Sequence, residues 1–114
     1  MPFFEFDTLQ EVPLVDGVLI KAVYGEKCSV SFLELQPFAR IPDHHHENEQ
    51  IGIVLDGDLE YTIGAETKLC KAGTAFIVPA NTIHGGVVVS GQPARVLNFL
   101  TPPRQVTEPL KYPA

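Results

Sequence analysis

Apolar residues fall along this chain in short runs, several of them alternating with polar neighbours, and no window sustains the 3.6-residue spacing of an amphipathic helix. The runs at 30–35 (Val-Ser-Phe-Leu-Glu-Leu), 50–55, 59–63, 75–78, 87–89 and 95–100 read as strands, rich in β-branched and aromatic residues. Leu59, Tyr61 and Ile63 alternate with Glu60 and Thr62, which turns one face of that strand to a core and the other to water. Asp56-Gly57-Asp58 is a strong turn signal expected to close a hairpin, and Gly64-Ala65-Glu66 makes another turn. Residues 18–23 read as an edge strand, able to pair on a second subunit; the rest of the first 28 residues is less regular, and the proline-rich tail after Thr101 ends the sheet. The pattern predicts an all-β sandwich, jelly roll or barrel.

Composition narrows the function more than the fold. Ten prolines and nine glycines interrupt the chain too often for long helices, while 45% hydrophobic residues supply a real core. At 114 residues a single domain over 1–114 is expected, with its core at about 30–101. A chain this short leaves much surface exposed, so a homodimer is expected as well. A net charge of −6 with eight Lys and Arg residues argues against a nucleic-acid partner. No run reaches the roughly 18 to 20 apolar residues that span a bilayer, and the start Met-Pro-Phe-Phe-Glu-Phe-Asp has no basic secretion signal, so no membrane role and a cytoplasmic location are expected. Cys28 and Cys70 lack metal or redox spacing and read as two buried reduced thiols.

The chemistry concentrates in Pro42-Asp43-His44-His45-His46-Glu47-Asn48-Glu49-Gln50, which carries three of the four histidines. On extended backbone His44 and His46 face one side and His45 the other, and Gln50 returns to the first side if the chain stays extended. Two imidazoles and an amide oxygen then converge, a donor set that suits a divalent transition metal. His84, after the strand 75–78 and the turn at Pro79, supplies a fourth donor from elsewhere. Neighbouring histidines also occur as solvated surface loops, and a lone histidine is often structural; the spacing between the two segments favours the metal site.

That spacing resembles the cupin superfamily, whose first motif is G-x5-H-x-H-x3,4-E-x6-G and whose second is G-x5-P-x-G-x2-H-x3-N. His44, His46, Gln50 and Gly57 fit the first, and Gly73, Pro79 and His84 fit the second. Phe38, Asn81 and Val88 stand where the motifs have Gly, Gly and Asn, and Gln50 stands where the first has Glu. The resemblance implies a double-stranded β-helix, the cupin jelly-roll barrel, holding one divalent ion through His44, His46, Gln50 and His84. Zinc, nickel, iron, manganese, cobalt and copper all suit such donors. Gln50 in place of glutamate leaves the ion its full charge, which favours Lewis-acid and proton-transfer chemistry.

The His44–Gln50 run, Gly57 and Asn98-Phe99-Leu100-Thr101-Pro102-Pro103-Arg104 are together similar to small cupins of pectin and alginate breakdown, which convert unsaturated monouronates to open-chain keto acids. In those proteins an acidic residue and an arginine six positions later complete the catalytic site; the matching residues are Asn98 and Arg104. Asn98 carries no titratable proton, whereas Arg104 can hold a substrate carboxylate. Arg40 is a second cationic candidate. Three readings follow, all with a small-molecule partner: a metal-dependent isomerase or lyase acting on a small oxygenated or sugar-derived acid, a non-catalytic small-molecule-binding cupin, and a non-haem iron dioxygenase.

Overall fold

A computed structural model describes residues 2–114. After a short 3-10 turn at Phe6–Thr8 come ten strands: β1 (Val12–Val15), β2 (Val18–Tyr24), β3 (Ser29–Leu35), β4 (Arg40–His44), β5 (Glu49–Asp56), β6 (Leu59–Ile63), β7 (Glu66–Cys70), β8 (Ala75–Val78), β9 (His84–Val88) and β10 (Ala94–Thr101). They form a six-stranded sheet in the order β1-β2-β3-β10-β5-β8 and a four-stranded sheet in the order β4-β9-β6-β7, with every pairing antiparallel. The expected all-β jelly roll is what the chain forms.

Alternation of side chains builds the interior. Every second residue of β3 and β10 is buried, and the paired rows Leu35–Ala94 and Leu33–Val96–Val54 give the six-stranded sheet an apolar inner face. Leu59, Tyr61 and Val88 face them from the four-stranded sheet. One row further along, the inner residues become Ser31, Asn98, Gly52 and Phe76, and the next row holds Ser29, Leu100, Gln50 and Val78. Opposite that polar end, β4 and β9 pair His44 with His84. The interior is therefore apolar at one end and polar at the other.

Gly52 has a specific place in this gradient. A Cβ there would stand 2.2 Å from the Phe76 ring and 2.7 Å from Asn98 Oδ1, so only glycine lets the ring and the amide meet across the strand. Phe38 and Asn81, which replace motif glycines, both adopt left-handed backbone at φ 62° and 63°. Asn81 bears this at little cost, whereas an exposed phenylalanine there is strained.

Several expectations are corrected. Asp56-Gly57-Asp58 does not close a hairpin: β5 lies in one sheet and β6 in the other, so the turn carries the chain across the sandwich. The run 18–23 belongs to β2, which pairs with β1 and β3 of its own chain, leaving β1 at the edge. Cys70 is buried and Cys28 exposed, both unpaired, because Cys28 sits in the turn before β3 rather than inside the barrel.

Candidate metal centre

Four short segments deliver the polar end of the barrel. β4 ends on His44, the chain bends through residues 47 and 48, and β5 begins at Glu49. The segment is thus not extended throughout, as the simple alternation argument assumes, yet the bend still brings Gln50 back, with Oε1 3.1 Å from His46 Nε2. His84 opens β9 beside His44. The donor nitrogens of His44, His46 and His84 lie within 4.8 Å of one another, and all three residues are buried. His45 turns away, and its backbone N–H donates to Lys111 O at 2.9 Å.

Hydrogen bonds fix which nitrogen each ring offers. The Nδ1 atoms of His44, His46 and His84 face the backbone carbonyls of Pro42, Asn48 and Thr82 at 2.8, 3.0 and 2.8 Å. A carbonyl only accepts, so each Nδ1 carries the proton and each neutral ring presents a lone pair at Nε2. The carbonyl belongs in every case to a residue two positions away, so the local backbone sets the orientation.

Burial keeps these rings neutral. Loss of solvent holds His44 and His46 below the ordinary imidazole range. His84 is pushed down to about 3, first by burial and then by repulsion from His44, His46 and Arg104. Two features then ask for a cation. His84 Nε2 is buried with no hydrogen-bond partner. The His46 Nε2 lone pair faces the Gln50 oxygen, two acceptors at 3.1 Å that repel unless a positive centre lies between them. Three imidazole nitrogens and a neutral oxygen suit a divalent transition metal, so the residues fit such an ion.

Asn98 sits behind this cluster, its Oδ1 accepting from Gln50 Nε2 at 3.0 Å. That bond aims the Gln50 oxygen at His46 and uses the Asn98 acceptor. Arg104 lies on the wall of the cavity with His44, His46, Gln50 and Asn98, its side chain only 10% exposed. Its guanidinium is already engaged, by Glu108 Oε1 at 3.3 Å and by the carbonyls of Glu108 and Pro109 at 3.4 and 3.1 Å. Arg40 is exposed on β4 and does not line the cavity.

Three contributors escape sequence reading as site residues. Tyr61 reaches the cavity from β6, and burial raises its phenol above the ordinary range, so it keeps its proton. Its inward alternation with Leu59 is a legible signal. Phe76 packs on Tyr61 with ring centroids 4.4 Å apart. The tail also folds back over the mouth and lines the cavity with Val106, Glu108 and Leu110. Nothing local in a proline-rich tail announces that return.

The family model for the cupin domain matches residues 31–100, and this chain belongs to that family. Among solved structures, it superposes on an RmlC-like cupin from Shewanella frigidimarina with a TM-score of 0.84 at 18% identity, over 92% of this chain and 94% of that one. KdgF from Halomonas sp. gives 0.84 at 24% identity, over 92% and 96%. The polyketide cyclase RemF from Streptomyces resistomycificus gives 0.79 at 21% identity, over 98% and 84%. These likenesses concern the fold. A curated relative, H2HPP isomerase of Bacillus subtilis, is 38% identical over 50 residues, which is 43% of this chain and only 21% of that protein.

Proposed function

We propose that this single-domain cupin is a metal-dependent enzyme that holds one divalent ion among His44, His46, Gln50 and His84 and acts on a small oxygenated acid of the unsaturated-uronate kind. The observation that carries the reading is the partnerless, buried Nε2 of His84, aimed into a cluster of neutral imidazoles whose other nitrogens are all tied down. When bound, the ion supplies a Lewis acid that polarises a carbonyl or hydroxyl. The chain's own residues do the rest. The carbonyls of Pro42, Asn48 and Thr82 hold the rings, Asn98 aims Gln50, and Arg104 takes the substrate carboxylate. Leu59, Tyr61 and Phe76 keep bulk water from the inner wall. The short match to an isomerase and the structural likeness to KdgF support the isomerase or lyase side of this reading.

One observation favours a second reading, a non-catalytic cupin that binds a small acid. Asn98 stands where related enzymes have an acid, and its oxygen is committed to Gln50. Incubation with an unsaturated uronate separates the two: metal-loaded protein turns it over and chelated protein does not, whereas binding without consumption favours the second. Equal turnover by the chelated protein contradicts the first. Asn98→Asp is the companion test, and gain of turnover by that variant marks an enzyme pocket that has lost its proton carrier.

The homodimer belongs to the same proposal. Val23, Val30, Phe99, Ile51 and Ile77 form one outward row across five strands, with Phe99, Ile51 and Ile77 39%, 43% and 60% exposed. A sheet face turned to water is ordinarily polar. Sedimentation of the protein and of Ile77→Lys tests whether that row joins two copies. Two free thiols fit a reducing cytoplasm, and no helix among the described residues is long and apolar enough to cross a membrane.

A further inference from the structure

We infer that Glu108 is a built-in competitor for the acid this pocket takes: its carboxylate occupies the place on Arg104 that the ligand's carboxylate fills. This rests on the carboxylate-binding reading of Arg104 given above.

Three observations converge. The first is the quality of the Arg104–Glu108 pair. The guanidinium is nearly enclosed, yet the carboxylate that meets it makes one contact of 3.3 Å from a side chain 45% exposed. A fork-to-fork pair makes two shorter bonds, typically about 2.7–2.9 Å. A free carboxylate entering the cavity therefore improves on the internal partner, and Glu108 returns to water at little cost.

The second is room. The cavity beneath the tail measures about 70 Å³, space for a few waters and far below the roughly 300 Å³ at which ordinary ligand pockets begin. Val106, Glu108 and Leu110 form its tail-side wall. An acid of sugar size enters only if that wall moves.

The third is how the wall is fastened. Asn48 Nδ2 donates to Pro102 O, Arg104 N–H to Ser29 Oγ at 3.1 Å, and Val106 N–H to the Tyr24 hydroxyl at 3.0 Å. Lys111 O then accepts from His45 N–H at 2.9 Å. Between these anchors, the hydrogen bonds of residues 107–110 are a turn from Glu108 N–H to Gln105 O and the bonds from Arg104. Removing Arg104 from this segment frees a short loop while both of its ends stay tied. Exchange of carboxylates withdraws the Glu108 side chain from the wall, and the two carbonyl bonds are given up as the guanidinium turns to the ligand; only an anion performs the exchange. Glu108 thereby makes the site selective for acids over neutral sugars of the same shape.

Isothermal titration of the metal-loaded protein with D-glucuronate and with its neutral amide, D-glucuronamide, tests this. Glu108→Gln is expected to tighten glucuronate by about five- to tenfold and leave glucuronamide unchanged, while Arg104→Gln loses glucuronate binding. If Arg104→Gln loses it but Glu108→Gln leaves it the same or weaker, the competitor is wrong and the carboxylate anchor stands. Equal tightening of both ligands by Glu108→Gln means a loosened tail without charge exchange, which also overturns the proposal. Glucuronate binding that survives in Arg104→Gln, or is absent from both the unaltered protein and Glu108→Gln, overturns the anchor and the competitor with it. Glu108 is exposed, so the fold tolerates the change; Glu108→Ser repeats the measurement with a second side chain.

Discussion

The two ends of the barrel interior are built from the same strands and obey opposite rules. At one end Leu35, Val54, Leu59, Val88 and Ala94 are fully or almost fully buried and offer no polar side-chain atom. At the other, two alternate rows along β10 from Ala94 and along β9 from Val88, His44, His46, Gln50, His84 and Asn98 are also buried, though all but His84 slightly less deeply. Apolar burial stabilises the first end directly. The second gathers desolvated acceptors that gain little from the chain itself, so its stability depends on what binds there. The lesson is that fold and site can be separated by mutation even within single strands.

The largest break comes from the ion. A ligand that binds only the folded chain at a thousand times its Kd adds about 4 kcal/mol, on the order of 20 °C in Tm for a domain of this size. Chelation is expected to lower the thermal midpoint by that order, and His84→Ala to lose metal in elemental analysis with little further effect of chelator. The dry end should behave in reverse. Leu35→Ala removes a fully buried side chain and is expected to cost about 3 kcal/mol in urea unfolding, with metal affinity unchanged.

A smaller effect separates the ends by pH. His84 has its folded value near 3 against an ordinary 6.5, so below 6.5 the unfolded chain takes up a proton that the folded chain refuses. The stabilisation is complete above 6.5 and is lost steadily as pH falls toward 3. For the metal-free protein at pH 5 the loss is on the order of 2 kcal/mol, read as a falling midpoint in thermal scans. His84→Gln should make that slope shallower, leaving the part that the likewise depressed His44 and His46 contribute, and Leu35→Ala should not change it. The smallest effect lies outside both ends: Phe38→Gly relieves left-handed backbone at φ 62° and should raise stability by about 1 kcal/mol.

The strands that the pattern reveals are mostly interior ones. β3, β5, β6 and β10 each have a neighbour on both sides and bury alternate residues, so their sequences show it. β9, also interior, buries His84, Gly85 and Gly86 in succession and is legible only at its end. The three that stay hidden, β1, β4 and β7, are all edges. Pro13 and Pro42 interrupt the first two, and four of five residues of β7 are exposed, because an edge needs neither every N–H nor an apolar face. The site divides in the same way. His44, His46, Gln50 and His84 are legible because fixed intervals between turns deliver them to one end. The roles of Asn98 as a support for Gln50 and of Glu108 as a partner for Arg104 depend on contacts between distant segments, which no local pattern encodes.

X-ray absorption at the edge of the bound metal, on the unaltered protein and on His84→Ala, addresses the cation directly. The expected spectrum shows one ion per chain with three imidazole nitrogens and light oxygen donors at about 2.0–2.2 Å, and loss of one imidazole or of the ion in the variant. An ion held by two or fewer imidazoles, with a spectrum unchanged by His84→Ala, would contradict the account.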